Sequence, residues 1–531
     1  MGAAEVAGVA AGLLAAVALY DRKQRAHAIM RNFPIVGRFR YWFERFGPPL
    51  RQYIVTGNDE ERPFSRDQRR WVYASSKKEN AYFGFGTDND LEQTPNYLVI
   101  RQSTFPISSP HAGDAGYDPL YAVPCAKVLG GFRKRAKAFR PASIVNTSAM
   151  SYGSLSGPAV EAINRGVALA GAWQNTGEGG ISDYHRKGGD LCWQIGTGYF
   201  GCRDDKGNFS LERFKETVAS AKVRAIEIKL SQGAKPGQGG ILPKAKISAE
   251  IAATRGIGRD EDCVSPAAHS EFSTPLQLMD FITRLRTLSE GKPIGLKLAV
   301  GHPYEFMAIV KAMIETNVSP DFIVVDGGEG GTGAAPLEFT DHVGAPLREG
   351  LMLLHNTLVG VNLRSQICIG SSGKIVTAFD MARTIATGAD WCNSARGFMF
   401  ALGCLQAQTC HTGHCPTGVT TQDPARMRAL DITDKSARVH QFHRNTLIAL
   451  KEMLGAAGLN HPRELGPEHV IRRVSATDVR SLASLHHWAR PGELLSGVPD
   501  HPVFKVFWDV ACAESFAAPS TTLSLRGSKV H

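Results

Sequence analysis

The chain has 531 residues, 43% hydrophobic and 21% charged, a composition that excludes an extended disordered polymer and suits one large domain with extensions. Its formal charge is +10, but the excess gathers between Asp21 and Arg70, where Arg22, Lys23, Arg25, Arg31, Arg38, Arg40, Arg45 and Arg51 outnumber the acids; so local a run points to a membrane surface and not to nucleic acid. Ten cysteines in a chain this long do not make a disulfide scaffold, and the seven isolated ones read as small buried hydrophobes.

From Val6 to Tyr20 the chain carries no charge and is flanked by Glu5 and Asp21. These 15 residues, with Gly2 to Ala4, approach the roughly 20 that span a bilayer once tilt or local thinning is allowed. Positive charge follows the apolar run instead of preceding it. That predicts an uncleaved anchor over 1–20 with its C-terminal side in the cytoplasm, and so a protein held at the cytoplasmic face of the inner or plasma membrane. A basic extension over 21–140 follows. Its acidic-polar patch at Gly57 to Pro63 and the aromatic-rich stretch to Phe85 predict an irregular collar.

From about Ser143 the pattern changes to short apolar or β-branched runs, each ending in glycine or polar residues and followed by a helix-like segment. Such runs occupy 143–147, 225–230, 294–300, 322–326, 366–370 and 391–394. Strands alternating with helices imply parallel pairing, and the polar residues at the strand C-terminal ends predict a (β/α)8 TIM barrel over 141–430, with an open doubly wound sheet as the alternative. Residues 431–531 read as a helical extension packed on the barrel, ending in a loose tail from Ala517.

In a barrel of this class the loops after strands seven and eight form the common phosphate site. Gly370, Ser372 and Gly373 fall in one such loop, and Ala395 and Arg396 in the other. The loop Asp326-Gly-Gly-Glu-Gly-Gly-Thr-Gly333, containing Gly330, Gly331 and Thr332, is glycine-rich enough for backbone to approach a flat ring closely. Lys297 projects from a strand interior, where a cation would stabilise a reduced anionic flavin. Lys229, Lys235 and Arg255 surround the glycine-rich segment 232–240, a set suited to clamping a dicarboxylate. Cys404, Cys410 and Cys415 lie within twelve residues. They suit either zinc, with His411 or His414 as fourth ligand, or an iron–sulfur cluster lacking one corner.

Six motifs recur in order: Ala149-Met-Ser-Tyr-Gly-Ser154, Asn175-Thr-Gly-Glu-Gly-Gly180, the run from Ile228 to Gly240, Ser265-Pro-Ala-Ala-His269, Gly330-Gly-Thr-Gly-Ala334, and Cys404 to Pro416 continuing into Gly418-Val-Thr-Thr-Gln422. Together they resemble the FMN-binding synthase region of glutamate synthase over roughly 141–475, in a form without the amidotransferase domain. The resemblance implies FMN in the barrel and a [3Fe–4S] cluster on Cys404, Cys410 and Cys415. The cluster would pass single electrons to the flavin, which gives a hydride to the carbon of 2-iminoglutarate to make glutamate. It implies Met150, Ser151, Lys297, Gly331 and Thr332 as flavin contacts, and Glu178, Lys229, Lys235 and Arg255 as substrate-site residues.

Three positions depart from the family pattern. Ile241 stands where the family commonly has Gln, Leu276 where it has a Glu near the ammonia entry, and Gln238 where a Glu is usual. Loss of these polar groups leaves two readings of the substrate, a 2-oxo acid or an amino acid. The second would make the chain an amine or amino-acid dehydrogenase passing electrons to a membrane acceptor. An electron-transfer partner is expected either way, because no dinucleotide fingerprint opens a strand–helix turn.

Overall fold

Eight short, almost wholly buried strands close into a parallel barrel: β1 Val145–Thr147, β2 Trp173–Asn175, β3 Asp190–Ile195, β4 Val223–Lys229, β5 Ile294–Leu298, β6 Phe322–Asp326, β7 Cys368–Ser372 and β8 Trp391–Ser394. Each pairs with the next, and β8 returns to β1 in the register Cys392↔Val145. This is the expected (β/α)8 barrel. The computed structural model describes residues 2–24, 27–57, 60–79, 84–110 and 112–517; the tail after Ala517 lies outside them. The chain divides into two units, Met1–Asp67 and Gln68–His531, with the barrel in the second.

Helices follow most strands, as at Gly157–Ala170, Pro275–Leu288, Pro303–Thr316 and Ala378–Ala386. Their starts are written locally: Ser156, Thr274 and Thr377 each accept a bond from the backbone N–H three residues on. The β2–β3 connection is different and carries only the 3-10 turn Asp183–His185.

The N-terminal end of the barrel is plugged by aromatic rings from first strand positions. Trp173 meets Trp391 edge to face at 5.9 Å, and Phe322 meets Trp391 at 5.8 Å. Gly370 belongs to this floor. A Cβ there would lie 2.5 Å from the Trp391 indole, so packing is the reason for the glycine that the sequence suggested to be a phosphate contact. With the bottom filled, chemistry is confined to the other end.

Several local expectations are corrected. Ser371 and Ser372 lie inside β7 and not in the loop beyond it, because the strand pairs residue for residue with β6 as far as Ser372↔Asp326. The stretch read as an irregular collar contains the helix Arg66–Lys77, which buries Val72, Ala74, Ser75 and Ser76. The region after 431 opens with the helix Ile432–Ala456, whose buried His443 sits 2.8 Å from Ser143 Oγ and 3.1 Å from Val145 O. It then adds strands Val470–Arg473 and Val479–Ser481, which join Leu98–Ile100 in an antiparallel sheet.

Candidate active site

Side chains alternate along a strand, so β4 sends Glu227 and Lys229 into the barrel while Ile226 and Ile228 face the helices. Lys229 is in register with Lys297 on β5. Two buried ammonium groups side by side would repel, and each is neutralised separately. Lys229 Nζ donates to Glu178 Oε1 at 2.7 Å and to Gln232 Oε1 at 2.6 Å, while Lys297 Nζ lies 3.2 Å from Asp326 Oδ2.

Burial alone would discharge Lys297, but the carboxylates of Asp326 and Glu227 outweigh it and hold its pKa above the ordinary range. The Glu227 carboxyl is raised as well: burial lifts it, only partly offset by Lys297 and by the amides of Gln194 and Asn175. Those amides donate to Glu227 Oε1 at 2.6 and 2.9 Å. Glu178 is buried too, yet the Lys229 charge overrides burial and keeps the carboxyl below its usual value.

Lys235 and Arg255 complete a cationic mouth. Lys235 Nζ donates to Ala334 O at 3.1 Å, and burial together with the Lys229 charge brings its pKa down to about 8. Arg255 Nη2 donates to Ser151 Oγ at 3.3 Å and Tyr152 O at 3.1 Å, with the guanidinium 5.1 Å from the Phe200 ring centre. Both side chains are buried, and among the described residues neither has a carboxylate within ion-pair distance. An acidic ligand would supply it.

The predicted flavin residues gather around this mouth. Met150 and Ser151 follow β1, and Ser151 Oγ is 3.0 Å from Ser154 Oγ. Ser372 Oγ lies 3.0 Å from Ser148 Oγ, and Ser148 N donates to Ser394 O, which joins the ends of β7, β1 and β8. Ser371 Oγ is buried without a partner among the described residues. Gly330 N donates to Gly327 O at 2.8 Å, which folds the glycine loop back onto β6. Gly233 N donates to Asp326 Oδ2 at 3.0 Å, and no side chain fits there because a Cβ would come within 1.9 Å of Gly327 O.

Arg396 sits elsewhere than a phosphate reading of its loop suggests. Its Nη2 donates to Thr332 O at 3.0 Å and its Nη1 lies 3.8 Å from Cys410 Sγ, so one guanidinium links the glycine loop to the cysteine segment. On the other side Lys246 Nζ donates to Ser154 O at 2.9 Å and Cys410 O at 3.3 Å. Burial raises the Cys415 thiol, but the groups of Thr420 and Thr417 turned toward it prevail and bring it to about 7. Cys404 stays raised by burial. Among the described residues no three His, Cys, Asp or Glu side chains gather to hold one metal ion.

Sequence reasoning missed His269. Its Nε2 donates to Lys229 O at 2.9 Å and its Nδ1 faces Tyr199 OH at 3.1 Å; burial takes its pKa down to about 4, which leaves a neutral ring bracing the strand end that carries Lys229. Its motif was visible, but nothing in the sequence tied the ring to Lys229. Glu227 was missed because an acid inside an apolar strand has no partner in its own neighbourhood of sequence.

The family described as a conserved region in glutamate synthase matches residues 129–460. The chain belongs to the glutamate synthase family. It is 39% identical over 504 residues to the glutamate synthase large subunit-like protein YerD of Bacillus subtilis, covering 90% of this chain and 95% of that one. It is 36% identical over 313 residues to the archaeal glutamate synthase [NADPH] of Methanocaldococcus jannaschii, covering 59% of this chain and 58% of that one, so the match spans little more than half of that relative. Among solved structures, a mandelate oxidase matches with a TM-score of 0.39 at 18% identity, covering 70% of this chain and 87% of that one.

The three departures from the glutamate synthase pattern occupy distinct places. Gln238 Oε1 is buried without a partner among the described residues. Ile241 pairs with Val264 in a two-stranded ribbon. Leu276 lies at the start of the helix Pro275–Leu288 and donates its N–H to Ala513 O.

Proposed function

We propose that this chain is a flavin and iron–sulfur oxidoreductase of glutamate synthase type that reductively aminates 2-oxoglutarate to glutamate. The observation that carries this reading is the buried mouth itself. Lys235 and Arg255 present positive charge with no carboxylate at ion-pair distance among the described residues, beside a Lys229–Glu178 pair that is already balanced.

In this reading the glycine loop, the cation Lys297 and the Ser371 hydroxyl, which has no partner among the described residues, would hold FMN, and that group would supply hydride chemistry at the substrate carbon. Cys404, Cys410 and Cys415 would hold a [3Fe–4S] cluster as the one-electron relay, in keeping with a low Cys415 pKa and the nearby Arg396 cation.

The chain's own groups then have separable tasks. Lys235 and Arg255 fix the two carboxylates of the substrate, with Arg255 held in place by Ser151 and Tyr152. Lys229 holds a proton at Nζ within reach of the substrate carbon's nitrogen or oxygen, and Glu178 keeps it charged until that proton is needed. His269 and Gln232 orient Lys229. Lys297, held charged by Asp326 and Glu227, would stabilise negative charge on a bound flavin.

The orphaned Gln238 oxygen and the apolar Ile241 favour a second reading, an amino-acid or amine dehydrogenase feeding an electron-transfer partner. Anaerobic mixing of the oxidised protein with a panel of amino acids separates them. Bleaching of flavin absorbance by glutamate alone supports the synthase, and bleaching by another amine supports the dehydrogenase. A protein purified without flavin and iron ends both. The helix Ala3–Lys23, 21 residues or about 31 Å long, is proposed to hold the protein at the cytoplasmic face of a membrane.

A further inference from the structure

The first unit contains a surface that the chemistry above does not use. On the helix Arg38–Leu50, the large apolar side chains of Phe39, Trp42, Phe43, Phe46 and Leu50 are between 42% and 61% exposed. At the angular step of an α-helix they share an arc of about 100°. Arg40, Glu44 and Arg45 take the other side, with Arg40 Nη2 2.8 Å from Glu44 Oε1. Soluble surfaces rarely leave so continuous an aromatic face uncovered.

The helix is fixed to the segment before it. Asp21, near the end of the helix Ala3–Lys23, is fully buried and accepts bonds from Arg38 Nε at 2.9 Å, Arg38 Nη2 at 2.6 Å and Ile35 N at 2.9 Å. The Arg38 guanidinium also lies 5.7 Å from the Tyr20 ring centre. The clamp therefore stands where the apolar run of the first helix stops. That helix exposes its own apolar side chains, among them Val9, Leu13 and Leu19.

Charge identifies what covers the aromatic face. Residues 21–57 hold eight Lys or Arg and two acids, Asp21 and Glu44, both of them paired with arginine. Trp and Phe beside a cationic rim match the headgroup region of an anionic bilayer, where rings sit at the acyl boundary and arginines reach phosphates. An apolar protein groove would answer the rings but not the surplus charge.

We propose that Arg38–Leu50 is an interfacial helix that lays its aromatic face into the headgroup region of an anionic membrane, docked to the helix Ala3–Lys23 by the Asp21–Arg38 clamp. The inference rests on the anchor reading only for which leaflet it meets. Together the two helices would hold the protein by two different contacts, one crossing the bilayer and one lying along it.

The test uses the full chain in phosphatidylcholine vesicles with and without phosphatidylserine, and with bromine-labelled acyl chains. The difference in emission between the native protein and Trp42→Phe isolates Trp42. In anionic vesicles that emission is expected to shift to the blue and lose at least half its intensity to bromines near the headgroup end. Asp21→Asn and the double variant Phe39→Ser, Phe43→Ser should each reduce the quenching several-fold while the protein still floats with the vesicles. Flotation with an unquenched Trp42 overturns the interfacial helix and leaves the anchor standing. Failure of every form to float, with Trp42 open to aqueous iodide, overturns both. A Trp42 shielded from bromine and iodide alike assigns the face to a protein surface and overturns the proposal.

Discussion

Glu178 Oε1 lies 2.7 Å from Lys229 Nζ, although one comes from the loop after β2 and the other from the last position of β4. Both are buried. The contact joins the loop after β2 to the end of β4 and fixes the charge of the group nearest the proposed substrate. Replacing Glu178 by Ala leaves an ammonium buried with only Gln232 to serve it, and should cost about 3–5 kcal/mol in a denaturant titration as well as abolish turnover. The sign of its pH dependence follows from the lowered carboxyl: the stability is fully present above the ordinary value of 4.5 and is lost as pH falls through the depressed one. Glu178→Gln should be flatter than the native protein over that acidic window.

Lys235 gives opposite signs for activity and stability. Its folded pKa of about 8 lies below the ordinary 10.5, so between those values the unfolded chain binds the additional proton and raising pH stabilises the fold. Over the same window the cationic clamp discharges. The value of kcat/KM for 2-oxoglutarate, which reports the free enzyme, should fall above about pH 8, and Lys235→Arg should move that limb to higher pH.

The loop crossing at Gly233 should tolerate no side chain. Gly233→Ala brings a Cβ to 1.9 Å from Gly327 O, and the backbone must shift to relieve it. Loss of about 1–3 kcal/mol is expected, read as a lower melting temperature, with weaker retention of flavin through dialysis.

The cysteines divide by environment. Cys415→Ala should remove iron and acid-labile sulfide while flavin absorbance and melting temperature change little. Cys512→Ala, at an exposed thiol far along the sequence from the cluster segment, should change neither.

Much of the fold could be read from the chain, and what could not be read has a common cause. β1, β4, β5, β6, β7 and β8 showed as apolar or β-branched runs because their inward polar residues come late in each strand. β2 is the tripeptide Trp-Gln-Asn, and β3 carries Gln194 near its end, so neither shows an apolar run. Their amides are satisfied inside the barrel, Gln174 by Asn164 and Gln194 by Glu227, partners distant in sequence. Arg396 was visible as a loop cation, but its turn toward Cys410 depends on where the segment after Gly403 folds back. Lys229, Lys235 and Arg255 were found because cations beside a glycine-rich run stand out locally, whereas Glu178 needed the resemblance. The amphipathic pattern of Arg38–Leu50 was also present in the sequence, masked by the charge of the region around it.

The central claim is tested most directly by reducing the holoprotein anaerobically and mixing it with 2-oxoglutarate and an ammonium salt. Recovery of oxidised-flavin absorbance with glutamate formed in proportion, and the loss of both in Lys235→Met, is the predicted result. Flavin that stays reduced with these substrates, while the oxidised protein is bleached by an amine other than glutamate, would contradict it.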